Sequence, residues 1–212
     1  MSTLKCDRYG LAIHTTTPQL GINLNNFQGD NRLQIWDLGR DLSSLVHQHL
    51  QEILHPQTWQ DIAFIAVTTG PGGFTGTRIG VVTARTLGQQ LDIPVYGIST
   101  LSAIAHTTIK EVPTNSLIAV QMEARRDRLF VAIYQVSSQG IWSDYLADTT
   151  MSKPEWEQTL ADLKTPWQLV KAPEKIAHSV ASVLSLARLQ WQQQMTTQWS
   201  EIIPFYGQHP VT

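Results

Sequence analysis

One stretch constrains this chain more than any other: residues 66–80, A-V-T-T-G-P-G-G-F-T-G-T-R-I-G. The apolar run at 62–67 that leads into it is short and bounded by breakers, the pattern of a strand buried on both faces. Gly70, Pro71, Gly72, Gly73 and Gly76 then let the backbone turn, and Thr75 or Thr77 can cap a helix that starts near Arg78. Strand, glycine loop and helix N-terminus together present backbone N–H groups in the positive field of a helix end, which suits an anion such as phosphate. Gly72, Gly73, Thr75 and Gly76 are therefore the candidate anion-binding loop. Two known phosphate loops fail on spacing. A Walker A loop needs Lys and then Ser or Thr after its last glycine, but Gly76 is followed by Thr77 and Arg78. A dinucleotide fingerprint needs G-x-G-x-x-G, and Gly70, Gly72 and Gly76 are one residue too long. The spacing alone favours a second reading, in which the glycines only let a helix pack tightly on a strand, and ligand binding stays open beside it.

Ahead of this stretch, three strands are expected at 9–15, 19–25 and 32–38, joined by connections short enough for antiparallel neighbours. A helix follows at 41–54. Its apolar positions Leu42, Leu45, Val46, His49, Leu50, Ile53 and Leu54 cover roughly half the circumference, wider than the stripe of a simple surface helix. The helix expected at 78–91 is apolar nearly all round. Ile79, Val82 and Thr86 lie on one side, Ala84, Leu87 and Leu91 on another, with Val81 and Gly88 between them. Such helices call for cover on both sides, and a second protein can supply it. Leu42, Leu45, Val46, His49, Ile53, Val81, Ala84, Leu87 and Gly88 are the candidate partner-binding residues. A strand at 94–98 and a helix from Ser99 or Thr100 to about Thr108 complete this half. The aperiodic segment 110–115 reads as a boundary between a lobe at 1–109 and a second at 110–212. In the second lobe, strands are expected at 117–122, 129–136, 142–146 and 167–170. Ser152 and Glu155 form a capping box for a helix to about Leu163, and Pro173 opens the approach to a last long helix through Ile176, Val180, Val183, Leu184 and Ala187.

Composition excludes several chemistries. A net charge of −2 gives no basic footprint for independent nucleic-acid binding. Cys6 is the sole cysteine, so there is neither an internal disulfide nor a cysteine metal cluster. No apolar run approaches the roughly 18 residues needed to cross a bilayer, and the first thirty or so residues lack a cleavable signal pattern, so a cytoplasmic location is expected. Of the seven histidines, none pairs at i, i+4, and no metal site is expected. His14 ends the first strand, where it either faces a cleft or closes the strand. No G-x-S-x-G elbow points to a serine hydrolase. Arg125, Arg126 and Arg128, interleaved with Glu123 and Asp127, read as a solvated hairpin turn or else as an anion or partner contact.

The run Gly70-Pro71-Gly72-Gly73-Phe74-Thr75-Gly76-Thr77-Arg78-Ile79-Gly80 resembles the G-P-G-S-F-T-G-L-R-I-G segment of the bacterial TsaB family, also called YeaZ-like, with Gly73 and Thr77 as substitutions. Residues 93–101, I-P-V-Y-G-I-S-T-L, are similar to that family's I-P-L-V-G-V-S-S-L continuation. Ala124-Arg125 resembles its D-A-R turn, and Pro204-Phe205-Tyr206 its P-x-Y ending. The resemblance is strong over residues 60–105 and thin elsewhere. It implies an α/β actin-like and Hsp70-like ATPase fold (ASKHA, ribonuclease H-like) of two similar lobes, with the last residues packing back on the first. It also implies a non-catalytic partner of TsaD, required for the N6-threonylcarbamoyl modification of the tRNA adenosine next to the anticodon. TsaE would be a further partner and TsaC the source of the intermediate. Contact with tRNA would be indirect, through the complex. The chain would need no cofactor of its own, ATP and metal belonging to its partners, and would have no catalytic residue. A homodimer through the same helices is the competing assembly, and a stand-alone kinase, phosphatase or peptidase of the same fold is the alternative function. Catalytic relatives carry an acidic residue at the end of the first strand, as do many TsaB sequences; here the position holds His14.

Overall fold

The computed structural model describes residues 8–113, 115–136, 142–195 and 197–205, so Cys6 and Tyr206 lie outside the described residues. Two sheets organise the chain. The first is built from β1 (Tyr9–His14), β2 (Gln19–Asn25), β3 (Asn31–Asp37), β4 (Ile62–Gly70) and β5 (Val95–Ser99) in the order β3-β2-β1-β4-β5. The short turns pair β1, β2 and β3 antiparallel, while the helical crossovers make β1, β4 and β5 parallel. The second sheet holds β6 (Leu117–Glu123), β7 (Arg128–Val136), β8 (Trp142–Ser152) and β9 (Trp167–Lys171) in the order β8-β7-β6-β9. Its β6–β7 and β7–β8 pairs are antiparallel and β6–β9 is parallel, repeating the arrangement of the first four strands of the other lobe. This internal duplication is the two-lobed α/β architecture that the resemblance implies.

Helices cover both faces of both sheets. α1 (Leu42–Leu54) and α2 (Phe74–Leu91) pack on one face of the first sheet, where Leu11, Ile13, Ile22 and Val67 meet Leu42, Val46, Val81 and Ala84. The alternate residues Ala12, Phe64 and Ala66 point the other way and are covered by α5 (Val180–Gln192) through Val180, Val183 and Leu184. α3 (Thr100–Thr107) sets Leu101 and Ile104 against Ile118 and Val120 of the second sheet, and α4 (Lys153–Ala161) buries Trp156 on that sheet's far side. The last helix of the chain thus completes the core of the first lobe, and a helix of the first lobe covers the second.

The glycine run folds differently from the sequence reading in one respect. α2 begins at Phe74, four residues before Arg78, with Gly73 as its N-cap and no side-chain cap. Thr75 and Thr77 lie inside the helix, and the Thr77 hydroxyl donates back to the Gly73 carbonyl (2.8 Å) instead of capping. Two strands also run further than their apolar patterns: β4 reaches Gly70 and β8 reaches Ser152. The Ser152–Glu155 capping box is present as read. Beyond α5 the chain returns across the first lobe. Thr197 donates to the Val95 carbonyl (2.7 Å), Ile202 is buried beside Gly97, and the Phe205 N–H donates to the Thr69 carbonyl (2.6 Å). Gly70 meets two demands there. Its φ is +105°, and a Cβ would stand 2.5 Å from the Phe205 carbonyl oxygen.

Candidate functional site

A cleft of about 1490 Å³ separates the lobes. One wall is formed by Thr16 and Thr17 of the β1–β2 turn, Arg40, the start of α1 and residues 72–79; the other comes from the β6–β7 turn, Met122 to Arg126, with Phe130. Phe205 of the returning tail also lines it. Arg40, Arg78, Arg125 and Arg126 are among its lining residues and Glu123 is its one acid, so the cleft is electropositive.

The glycine loop forms part of this wall, yet its glycines are committed to packing. The Gly73 N–H donates to the Thr16 carbonyl (2.6 Å). A Cβ at Gly72 would overlap that same carbonyl oxygen, and one at Gly76 would overlap the Thr15 carbonyl oxygen. The loop therefore holds α2 against the β1–β2 turn at a spacing that no larger residue permits. Thr75 is exposed at the cleft wall, while the Gly73 amide, one of the four helix-start donors, is already spent on Thr16.

His14 does not reach the cleft. It is 0% exposed, its Nε2 lies 3.5 Å from the Thr16 hydroxyl and its Nδ1 has no partner. Burial pushes its pKa down from 6.5 to about 4, so the imidazole is neutral at physiological pH. The Thr100 hydroxyl donates to the Thr16 hydroxyl at 3.2 Å, tying this threonine turn to the start of α3. A metal-bound nucleotide, implied by the fold family, requires carboxylate ligands for its cation. A buried neutral imidazole at the end of β1 and a cleft whose charged lining is four arginines and one glutamate do not fit that group. Among the described residues, no group of three or more His, Cys, Asp or Glu is placed to hold a metal ion.

The candidate partner-binding residues divide sharply. Leu42, Val46, Ile53, Val81, Ala84 and Gly88 are buried within their own lobe, so they face the first sheet and are unavailable to another protein. Leu45, His49 and Leu87 are half-buried. His49 is also engaged internally, stacked on Trp36 at 4.3 Å and bonded to Glu52 at 2.8 Å. The wide apolar arc of each helix is thus used by the chain's own core. What α2 presents outward is a row that the sequence reading missed: Phe74 (51% exposed), Arg78 and Val82 (61% exposed). Arg78 lies over the Phe74 ring at 4.3 Å, as residues four apart on a helix can. Starting the helix at Phe74 would have revealed this row, because Phe74, Arg78 and Val82 then follow at i, i+4, i+8. On α1, Ser43, Ser44, His47, Gln48, Gln51 and Glu52 are exposed. No helix among the described residues is long and apolar enough to cross a membrane.

A family model described as TsaD, tRNA N6-adenosine threonylcarbamoyltransferase, matches residues 39–197. The tRNA threonylcarbamoyladenosine biosynthesis protein TsaB of Bacillus subtilis is 33% identical over 107 residues, half of this chain and 45% of that protein. The protein of the same name from Escherichia coli is 27% identical over 76% of this chain and 69% of its own length. The chain spans about half the length of the first curated relatives it matches. Among solved structures, a Pseudomonas aeruginosa protein described as similar to the peptidase YEAZ superposes with a TM-score of 0.76 at 19% identity, covering 95% of this chain and all of that one. YeaZ from the same organism gives 0.73 at 19% identity, over 94% of this chain and 99% of its own. These two likenesses show the shared fold. With the family model matched over residues 39–197, well more than half of this chain, and with curated relatives named TsaB, the chain belongs to the TsaD family, on its TsaB branch.

Proposed function

We propose that this chain is a non-catalytic partner of a TsaD protein in the biosynthesis of threonylcarbamoyladenosine in tRNA. The observation that carries the reading is the outer face of α2, where Phe74 and Val82 stand exposed around Arg78 on a helix whose opposite side is already buried. The adjoining exposed face of α1 is polar and carries a single charge between Leu42 and Leu54, so it suits the hydrogen-bonding rim of an interface centred on α2. The end of β1 supports the non-catalytic half of the proposal, since it carries a buried imidazole where a metal-dependent lobe needs a carboxylate. In this reading TsaD transfers the threonylcarbamoyl group, TsaC supplies the intermediate, TsaE is an additional partner, and tRNA is met through the assembly.

Val82→Glu places a charge on the exposed row without touching the core. It should weaken capture of TsaD by roughly tenfold or more while leaving the thermal unfolding temperature within a few degrees. Unchanged capture by a folded variant would remove α2 from the interface. Depleting the chain from its host and measuring the modified adenosine in tRNA tests the function itself; undiminished modification would refute it. The arginine-lined cleft favours a second reading, an anionic ligand or substrate handled by the isolated chain. Calorimetry with ATP and magnesium separates the two: tight binding with turnover supports the stand-alone enzyme, and absence of heat supports the partner role. The same α2 face can also pair two copies, which sedimentation at rising concentration resolves.

A further inference from the structure

On the opposite side of the first sheet from α1 and α2, a second recess of about 590 Å³ opens between the β2–β3 hairpin and the outer flank of α5. Its size falls among small-molecule sites, which run from about 300 to 1,000 Å³. Asn25, Phe27, Asn31, His106, Arg188 and Gln192 are among the residues that line it, and no carboxylate does.

The hydrogen-bond inventory of these residues is one-sided. Asn25 Oδ1 accepts from the Phe27 N–H at 2.5 Å, which fixes the amide orientation and leaves its NH2 as the unused end. Asn23 Nδ2 donates both to the Arg32 carbonyl (3.1 Å) and to Asn31 Oδ1 (2.7 Å), so Asn31 likewise keeps its NH2 unused. The Arg188 guanidinium lies over the Phe27 ring at 4.1 Å and forms no ion pair among the described residues. Asp30, the acid of the same hairpin turn, is already bonded to Arg32 (2.5 Å) and to the Tyr9 hydroxyl (2.7 Å). Phe27 is itself held firmly, with φ at +60° and its ring parallel to Phe64 at 6.3 Å. Unspent groups in the recess are therefore mostly donors, one of them a fixed positive charge held on an aromatic platform.

We propose that this recess binds a small oxyanion, a carboxylate or phosphate borne by a metabolite-sized molecule. Arg188 supplies the counter-charge, the Asn25 and Asn31 amides donate to the oxygens, and Phe27 forms an apolar wall. The guanidinium fork and two amide donors match an oxygen pair that accepts several bonds at once. The site is independent of the α2 face, because it lies across the first sheet from it.

The test is calorimetric titration of the full chain with citrate in one arm and inorganic pyrophosphate in the other, at constant ionic strength. Saturable binding by either anion is expected, with Arg188→Gln and Asn31→Asp each weakening it by roughly tenfold or more. Asn31→Asp retains the acceptor for Asn23 and places an anion at the mouth of the recess, so its loss of binding does not depend on misfolding. Arg125→Gln, in the interlobe cleft, should leave the affinity unchanged. Binding in the citrate arm alone identifies a carboxylate ligand, and binding in the pyrophosphate arm alone a phosphate. No saturation by on the order of 10 mM of either anion overturns the proposal. So does equal affinity for Arg188→Gln, or loss of binding in Arg125→Gln instead.

Discussion

At the inner end of β1, an imidazole sits where solvent never reaches, and its protonation is linked to folding. His14 has a folded pKa of about 4 against an ordinary value of 6.5, with burial as the main cause. Above about pH 6.5 it is neutral in both folded and unfolded chains, and its environment is fully tolerated. As pH falls from 6.5 towards 4, the unfolded chain takes up a proton that the folded chain refuses, so stability drops, by about 3 kcal/mol in all; below about 4 both states are charged and the loss levels off. His106, whose pKa burial also lowers, adds to the loss in the same direction. Urea unfolding across this range should show wild type losing about 3 kcal/mol more than His14→Gln between pH 6.5 and 4. A constant difference would place the proton elsewhere. The sequence could not decide between a cleft-facing and a strand-closing role for His14, because every residue of β1 is buried and alternation carries no information there.

Ser99 ties two elements together at the junction of the lobes. As N-cap of α3, its Oγ accepts from the Ser102 N–H (3.1 Å) while donating to Asp148 Oδ2 of β8 (2.6 Å). The Tyr134 hydroxyl of β7 donates to the other oxygen of the same carboxylate (2.8 Å). Burial raises the Asp148 pKa, and the hydrogen bonds from Ser99 and Tyr134 act against that rise. Ser99→Ala should cost about 1–2 kcal/mol, from the lost cap and the lost donor, and should move the Asp148 carboxyl further up. Thermal melts check the first effect and carboxyl-carbon NMR titration the second. The sequence identified Ser99 or Thr100 as the cap, and likewise the Ser152–Glu155 box, because capping chemistry is local. It misplaced the start of α2 because three of the five residues from Gly72 to Gly76 are glycines, poor helix formers. What begins the helix at Phe74 is a tertiary contact, the Gly73 N–H on the Thr16 carbonyl, and such contacts override propensity.

For the whole molecule, the antiparallel pairing of β1, β2 and β3 followed from connection length, whereas the order of the remaining strands and the placement of the helices did not. Short turns force antiparallel pairing, whereas a helical crossover allows parallel pairing without choosing the neighbour, so β1–β4 and β6–β9 emerge only in the structure. The apolar stripe of α5 likewise says only that one side must be covered; nothing in its period says that the cover is the first sheet. The same limit led the broad arcs of α1 and α2 to be assigned to a partner when their own core takes most of them. A consequence can be measured. A fragment ending at residue 109 would leave Phe64, Ala66 and Tyr96 without Val180, Val183 and Leu184, and the edge of β5 without its tail. It should lack dispersed amide signals on its own and regain them when residues 110–212 are supplied in trans. Independent folding of the fragment would show that α5 is dispensable.

This arrangement also sets the order in which a newly made chain becomes a protein. The five strands of the first sheet leave the ribosome before residues 180–205, which seal one of its faces and its β5 border. Until translation delivers that stretch, the nascent lobe presents an uncovered greasy face and an open strand to its surroundings, the condition in which chaperones hold a polypeptide.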